Sequence, residues 1–359
     1  MTAVAPSNYI AEWFGVRLYP QVKCRPSHVE AILANLCPFL TAVLRHRTRC
    51  VKPNNALGVC TIATTRAETK DWVVCPYRAL DPALLKFVVS VLFSLTDPDV
   101  SVYPVVALED PESLALIRQD LAQGKCVFVF FQDKLGGEIS VPGTPRSPEL
   151  SFDVTLLPIQ FDGSTLLLSN FAVYESQTMD FHGSYRHAVT ALRNAIDLHR
   201  DSFPTVVSQN TEWLGRGIEG PNIANVFKRT FYQLLLKFRL SGRGSCVGVL
   251  LSLPLSVWQS WAPHLGAPAL LAHGPYQVLA GAPLDPPTHS WICVFQADTA
   301  TDEPVEPLVA RNLINVDPGR LLDAAFRDVP DHIAATLMTH ISEAILARVQ
   351  RSYPDARCV

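Results

Sequence analysis

The sequence predicts an α/β fold, because segments with a helical spacing of apolar residues are mixed with a few short apolar runs typical of buried strands. At 359 residues the chain is long enough for one large domain or two. We expect a mixed central sheet flanked by helices, together with an N-terminal appendage. The helical patterns cover residues 28–47, 81–95, 111–121, 222–240 and 333–349, and the strand-like runs cover residues 126–131, 150–159, 291–295 and 305–316.

Local signals refine these elements. Cys37-Pro38 interrupts the first helical pattern, and a proline inside a helix kinks or splits it. Ser184, just after Gly183, is a plausible N-cap for a helix with one apolar face. Residues 262–287 are rich in proline and alanine, so we expect this stretch to be irregular.

Charge is unevenly distributed along the chain. The formal net charge is −3, yet residues 17–52 hold seven Lys or Arg against one acid. Residues 181–243 hold nine Lys or Arg against four acids. A local basic face of this kind can bind phosphates on a globally acidic protein. Ordinary solvated helix faces would give the same pattern, and this alternative stays open at this stage.

The composition also bears on compartment. The longest apolar runs, residues 87–93 and 247–253, are too short to span a bilayer. The chain opens without a cationic and apolar leader, and its nine cysteines are an odd number. We therefore expect a cytoplasmic protein with no membrane partner, whose cysteines are thiols or metal ligands.

An acidic pair is predicted where two strand-like runs come together. Asp153 lies among apolar residues of the first run, and Glu175 and Gln177 are two apart at the end of the second. Residues two apart in a strand share a face, and Asp162-Gly163 is a turn signal between the runs. An acid inside an apolar strand is costly to bury unless a positive group, usually a metal ion, lies beside it. A surface hairpin without function is the alternative, which this spacing alone does not exclude.

These residues resemble the catalytic core of the nuclease superfamily whose motif is Asp, a spacer, then Glu or Asp, any residue, and Lys. Gln177 stands where that motif usually has lysine. Longer segments are similar to the NotI-like family of type II restriction endonucleases, from about residue 9 to about residue 348. They read I-A-E-W-F-G at 10–15, C-P-Y-R-A-L-D-P at 75–82, D-K-L-G-G-E at 133–138, E-S-Q-T-M-D-F-H-G-S-Y at 175–185 and E-G-P-N-I-A-N-V-F-K-R-T-F-Y-Q at 219–233.

The resemblance implies a restriction-endonuclease-like core and an active site. Asp153 and Glu175 would hold Mg²⁺, which prefers hard oxygen ligands. Gln177 would orient a water or a phosphate oxygen without offering charge. Glu138, after Gly136-Gly137, is a candidate further acid. The implied catalytic residues are therefore Asp153, Glu175, Gln177 and Glu138.

The N-terminal cysteines form a second candidate site. The gaps between Cys37, Cys50, Cys60 and Cys75 are twelve, nine and fourteen residues and contain no C-x-x-C motif, so spacing alone favours free buried thiols. The resemblance implies instead a structural four-cysteine site of rubredoxin type that holds iron, and zinc fits the same tetrahedral geometry. We expect an N-terminal region with this metal-binding domain at residues 1–95 and a nuclease domain at residues 96–359.

Candidate DNA contacts follow from the basic residues near these two sites. Arginine is the usual reader of guanine in the major groove, which suits a G/C-rich target. Arg78 lies within the cysteine-bearing region and belongs to the same arginine-rich set. Residues 186, 228 and 229 either hold phosphates or solvate a helix face. The principal candidates are Arg45, Arg47, Arg49, Lys52, Arg186, Lys228 and Arg229.

The resulting functional expectation is a Mg²⁺-dependent type II restriction endonuclease that cuts both strands of a palindromic G/C-rich duplex, with a central GGCC implied by the resemblance. Symmetric cutting implies a homodimer, and host protection implies a cognate DNA methyltransferase. The main alternative is a catalytically inert DNA-binding protein on the same fold. A third hypothesis is a metal-stapled nuclease that acts on structured DNA in repair.

Overall fold

A computed structural model describes residues 7–66, 68–96, 99–145, 149–163, 165–280, 288–326, 329–351 and 357. Its α-helices are α1 (Pro26–Leu33), α2 (Pro38–Leu44), α3 (Pro82–Leu92), α4 (Pro111–Ala122), α5 (Arg186–Leu198), α6 (Phe203–Gln209), α7 (Ile223–Phe238), α8 (Leu255–Trp261), α9 (Pro318–Phe326) and α10 (Val329–Val349). The strands are β1 (Asn8–Trp13), β2 (Val16–Arg17), β3 (Val59–Thr64), β4 (Lys70–Val73), β5 (Val100–Pro104), β6 (Cys126–Phe131), β7 (Ile139–Val141), β8 (Leu150–Phe152), β9 (Val154–Asp162), β10 (Thr165–Leu168), β11 (Phe171–Ser176), β12 (Phe181–Gly183), β13 (Ile218–Pro221), β14 (Cys246–Pro254), β15 (Leu270–His273), β16 (Tyr276–Leu279), β17 (Ser290–Ala297) and β18 (Leu308–Asn315).

A large mixed sheet forms the centre of the molecule. Its strands follow the order β15-β16-β18-β17-β14-β11-β9-β6-β5, and β10 pairs with β9 outside this path. The neighbours of β14 are parallel to it, whereas β9 is antiparallel to both β11 and β6. Strands β11 and β14 are buried at nearly every position, so both faces of the sheet are covered there, which explains their near-continuous apolar sequence. The predicted α/β class, with a mixed central sheet flanked by helices, is confirmed.

Several predicted boundaries differ from the observed ones. The first helical pattern is split at Pro38 into α1 and α2, as a proline at that position requires. Residues 150–159 are not one strand, because β8 ends at Phe152, β9 begins at Val154, and Asp153 lies at the break. The prediction that residues 262–287 are irregular is wrong in part, since β15 and β16 form a hairpin at the edge of the sheet. The remainder of that stretch, residues 281–287, lies outside the described residues.

The N-terminal region forms its own small sheet, in the order β2-β1-β3-β4. This sheet packs against α5 and α6, because Ile10 and Trp13 share a hydrophobic cluster with Leu192 and Phe203. The cysteine-bearing segments pack instead beside the central sheet, because Cys60 shares a hydrophobic cluster with Leu156 of β9. Apolar packing therefore joins the N-terminal sheet to the rest of the molecule on two sides, and the boundary near residue 95 stays a prediction.

The C-terminal helix α10 carries exposed apolar side chains. Their positions recur at helical spacing, so they form one face of α10. They are Leu337, Met338, Ile341, Ile345 and Val349.

None of the helices within the described ranges has the length and apolar character needed to cross a bilayer.

Candidate active site

Asp153, just before β9, and Glu175, in β11, lie opposite each other at the edge of the β9–β11 pairing. Strand β9 begins directly after Asp153, and the antiparallel register pairs Val154 with Tyr174. Asp153 precedes Val154 and Glu175 follows Tyr174, so the antiparallel register makes the two acids neighbours. Val173 and Tyr174 are fully buried between β9 and β14, which fixes this register, since a slip by one residue would turn the apolar side chains to the wrong face.

Backbone amides hold the two carboxylates in place. The backbone N–H of Asp153 donates to Glu175 Oε1 at 3.3 Å, and the backbone N–H of Ser176 donates to Asp153 Oδ2 at 3.1 Å. Each acid thus accepts a hydrogen bond from the strand that carries the other acid. The reciprocal arrangement orients both carboxylates toward the same space, as a shared ligand would require.

Burial and the charges of neighbouring acids raise the pKa of two acids in this region, Glu175 and Glu138. Glu175 is only 7% exposed, and burial together with the charge of Asp153 raises the pKa of Glu175 to about 8. Burial also raises the pKa of Glu138, with further contributions from Asp153 and Asp133. Acids that resist ionisation beside one another are a feature of sites that receive a cation.

Gln177 lies in the same cavity, and both ends of its amide are already hydrogen-bonded. Its Oε1 accepts from the hydroxyl of Thr230 on α7, and its Nε2 donates to the carbonyl of Thr178. The backbone N–H of Gln177 donates to the carbonyl of Ser252 at 3.0 Å, which continues the pairing of β11 with β14 past the strand end. The amide therefore has a fixed orientation beside the two acids.

Glu138 reaches the cavity from the loop that follows β6. Gly136 and Gly137 have φ angles of +110° and +84°, a backbone region that favours glycine. At Gly136 a Cβ would also lie 2.1 Å from Cγ1 of Val105, so a side chain there would displace the loop. The cavity has a volume of about 360 Å³ and is lined by Asp133, Glu138, Asp153, Glu175, Gln177 and residues of α7. The four predicted catalytic residues are thus brought to one cavity.

Lys237 is a residue of this site that the sequence analysis missed. Its Nζ lies 2.5 Å from Glu175 Oε2, and its side chain is 4% exposed. Lys237 comes three residues after Leu234 and seven after Thr230, and all three are buried on one face of α7. A lysine on the apolar face of an amphipathic helix was the signal for its role, because a buried ammonium group needs an acidic partner.

The four predicted cysteine ligands come together on the N-terminal side of the molecule. Cys37, Cys60 and Cys75 are buried in one cluster, and Cys50 packs against it. Burial raises the pKa of the Cys37 thiol, with contributions from Cys75 and Cys50. A hydrogen bond from the Cys60 thiol and the charge of Lys52 together lower the pKa of Cys75, against the effect of burial. The four cysteines are therefore neighbours in the structure.

The predicted DNA-contacting residues fall into two groups. Six of the seven are exposed. One of these six, Arg229, forms an ion pair with Asp180 at 3.3 Å beside the cavity. Lys52 instead donates to the carbonyls of Val59 and Val74 at 2.7 and 3.3 Å, which ties down the strand before Cys75. The five other exposed candidates are Arg45, Arg47, Arg49, Arg186 and Lys228.

Arg78 cannot contact DNA in this structure, contrary to its place in the predicted arginine-rich set. Its side chain is fully buried, and its Nε and Nη2 each lie 3.1 Å from an oxygen of Glu12. A cavity of about 500 Å³, larger than the acidic one, lies beside this pair. Its buried charges already neutralise one another, since Arg17 pairs with Asp71 at 2.7 Å and also with Glu306. We therefore assign this cavity a structural role.

Neither the acids nor the thiols form a complete metal site within the described residues. Across the part of the chain that the structure describes, no group of three or more His, Cys, Asp or Glu side chains is arranged so that it could hold a metal ion. The acids and the thiols are thus neighbours without ligand geometry.

No protein-family model matches the chain, and a search of curated proteins returns no match.

Proposed function

We propose that this protein is a Mg²⁺-dependent type II restriction endonuclease that makes double-strand cuts at a palindromic G/C-rich DNA site. The observation that carries the proposal is the acidic pair Asp153 and Glu175, held by reciprocal backbone hydrogen bonds on adjacent strands. Gln177 and Glu138 line the same open cavity. Two neighbouring acids beside a cavity would hold the divalent cation that metal-assisted hydrolysis of a phosphodiester uses.

The residues of the cavity suit a divalent cation in donor type. Asp153 and Glu175 offer carboxylate oxygens, the donors that Mg²⁺ prefers. Burial, and after it the charge of Asp153, raises the pKa of Glu175, and a bound cation would offset both effects. Bound Mg²⁺ would activate water and stabilise the charge that develops on the phosphate. Gln177 would orient the water or a phosphate oxygen, and Glu138 would add a further acid at the cavity edge.

The cysteine cluster supports a structural metal site in the N-terminal region. Four neighbouring thiols, three of them buried, are the donor set of tetrahedral iron and zinc sites. We propose that Cys37, Cys50, Cys60 and Cys75 bind one iron or zinc ion after small side-chain movements. Because these cysteines lie on separate segments, one bound metal ion would link several loops beside the central sheet.

Recognition of DNA would use the exposed arginines near this cluster and the basic residues of α5 and α7. Arg45, Arg47 and Arg49 are close in sequence and exposed, as major-groove contacts require. Cutting both strands of a palindrome calls for a homodimer, and the exposed apolar face of α10 is compatible with self-association. The proposal includes a central GGCC and a cognate methyltransferase that protects the host.

An inert DNA-binding protein with the same fold is the second candidate. The cavity could in that case be a remnant, with Lys237 neutralising Glu175 in place of a metal ion. Such a protein would bind one duplex sequence and leave it uncut. A structure-specific nuclease is the third candidate, and it would cut without sequence preference.

The test compares acid variants in cleavage and in binding. Asp153→Asn and Glu175→Gln should each abolish Mg²⁺-dependent cleavage, because each removes an anionic oxygen donor from the cavity. Both should still bind the target duplex in a gel-shift assay. Asp162→Asn is the matched control, since Asp162 is an exposed acid at the end of β9. If either cavity variant cuts at the wild-type rate, the proposed active site is wrong.

A further inference from the structure

The lining of the acidic cavity contains more acidic than basic side chains, which bears on how it could receive an anionic substrate. Among the residues that the structure describes, its lining includes four acids, Asp133, Glu138, Asp153 and Glu175, and two basic side chains, Arg229 and Lys237. A phosphodiester is itself an anion, so it enters this cavity against a net negative charge. Before a metal ion binds, a positive charge of the protein that faces the phosphate would lower this electrostatic cost.

The two basic residues differ in position. Arg229 lies at the rim, where it is 59% exposed and paired with the equally exposed Asp180. Lys237 is buried two helical turns further along α7, and its ammonium group lies against Glu175. Screening by solvent weakens the charge at the rim, whereas the buried charge keeps most of its effect. Lys237 is thus the cation that acts on the cavity interior.

The same face of α7 contacts both ends of the predicted motif. Thr230 binds the side chain of Gln177, and Lys237 binds Glu175. Lys237 is also held by the ring of Phe152, which lies 5.6 Å from its Nζ. An ammonium group has three N–H donors, and among the described residues one of them goes to Glu175. The remaining donors suit an anionic oxygen in the cavity.

We propose that Lys237 supplies the positive charge of the active site, doing from α7 what a lysine at position 177 would do from the strand. It orients Glu175 and compensates the charge of the phosphodiester that enters the cavity. This inference rests on the proposed nuclease function, since it needs a phosphodiester substrate. It explains how a glutamine can stand at position 177 in a site that binds anions.

The test uses three variants and one control. Lys237→Met removes the charge, Lys237→Arg keeps it, and the double variant Gln177→Lys/Lys237→Met returns it from the strand. Lys86→Met makes the same chemical change on the exposed face of α3. For each protein we would measure cleavage in Mg²⁺, duplex affinity in EDTA by fluorescence anisotropy, and the melting temperature.

Lys237→Met should slow cleavage by about 10²-fold, the usual effect of removing one charge-stabilising donor from an active site. It should weaken duplex binding in EDTA about tenfold, the loss expected for one charged hydrogen bond. The double variant and Lys237→Arg should each recover most of both losses, and Lys86→Met should match the wild type. If Lys237 served only packing, a lysine introduced at position 177 would not restore the cleavage and binding that Lys237→Met loses.

Wild-type cleavage and affinity in Lys237→Met would overturn the inference. It would also fail if the folded double variant and the folded Lys237→Arg were both as impaired as Lys237→Met. If Lys237→Met does not fold, cleavage and duplex affinity of Lys237→Arg and of Gln177→Lys/Lys237→Met are compared with those of the wild type. Near-wild-type values in both variants then support the inference, and a loss in both overturns it. If the wild type binds duplex without cutting it, the endonuclease proposal fails and the EDTA affinities still decide on Lys237. A wild type that binds no duplex overturns both.

Discussion

The ammonium group of Lys237 lies 2.5 Å from Glu175 Oε2, while Asp153 contacts the other carboxylate oxygen of Glu175 through its backbone N–H. A single buried carboxylate is thus held between a helix and a strand. One cation faces two acids, and burial with the charge of Asp153 still raises the pKa of Glu175 to about 8 despite Lys237. The cavity therefore has a deficit of positive charge, and two predictions follow from that deficit.

A divalent cation should stabilise the folded protein. Mg²⁺ or Ca²⁺ bound between Asp153 and Glu175 would offset their repulsion, and a cation at about a hundred times its Kd adds about 2.7 kcal/mol of stability. Differential scanning fluorimetry should show a higher melting temperature with either cation. Glu175→Gln should lose most of this shift, and Asp162→Asn should keep it. Equal shifts in all three proteins would place the cation elsewhere.

The metal-free protein should lose stability as pH rises from about 4.5 to about 8 on account of Glu175. Its carboxyl group has an ordinary pKa of 4.5 in the unfolded chain and about 8 in the folded one, so in this range the folded state binds more protons. Chemical denaturation in EDTA should show this slope. Since Glu138 titrates in the same cavity, the informative quantity is the difference between wild type and Glu175→Gln. That difference should grow with pH, and parallel curves would contradict the assignment.

Replacing Cys60 should remove a structural metal. Cys60→Ser is expected to lower the iron or zinc content by about one equivalent per chain and to reduce the melting temperature, since the metal contributes folding free energy. Cys246→Ser is the control, because Cys246 is equally buried but lies in β14, in another cluster. Elemental analysis would measure the metal content per chain, and thermal unfolding would measure the melting temperature. A wild type without bound metal, or a Cys60→Ser protein with full metal content, would contradict the proposed four-cysteine site.

Arg78 should contribute to stability and leave DNA binding unaffected. Burial opposes ionisation of Glu12, but Arg78 and Arg17 outweigh it and hold the pKa of Glu12 below its ordinary value. Arg78→Met would leave this buried carboxylate without its main partner, which costs about 3–5 kcal/mol in unfolding free energy. Arg66→Met, an exposed change in the same region, should cost no more than about 0.5 kcal/mol. Equal stability of the two variants in urea would contradict the role given to Arg78.

Much of the fold follows from local sequence rules. The split at Pro38, the start of α3 after Asp81 and the turn at Asp162-Gly163 all result from residues whose preferences act over a few positions. The pairing of Asp153 with Glu175 followed from strand periodicity and the turn between the two strands. By contrast, the β15-β16 hairpin has a composition that resembles a loop, and it joins the sheet through the pairing of β16 with β18.

Long-range contacts could not be obtained from the sequence. Lys237 follows Glu175 by 62 positions, and only the packing of α7 on the sheet brings them together. The burial of Arg78 depends on Glu12 and on Glu306, 228 positions further along the chain. A count of basic residues treats Arg78 and Lys237 like any exposed cation, so it assigned Arg78 to DNA and gave Lys237 no role.

The most direct measurement is digestion of a fully sequenced G/C-rich DNA by the purified protein, with Mg²⁺ and in parallel with EDTA. Both strands of every cut would be mapped to the nucleotide. The account predicts discrete fragments that form only with Mg²⁺ and end at one palindrome, with cuts placed symmetrically on the two strands. Specific binding of one fragment without cutting would contradict it and favour the inert DNA-binding protein. Cuts without a common sequence would favour a structure-specific nuclease.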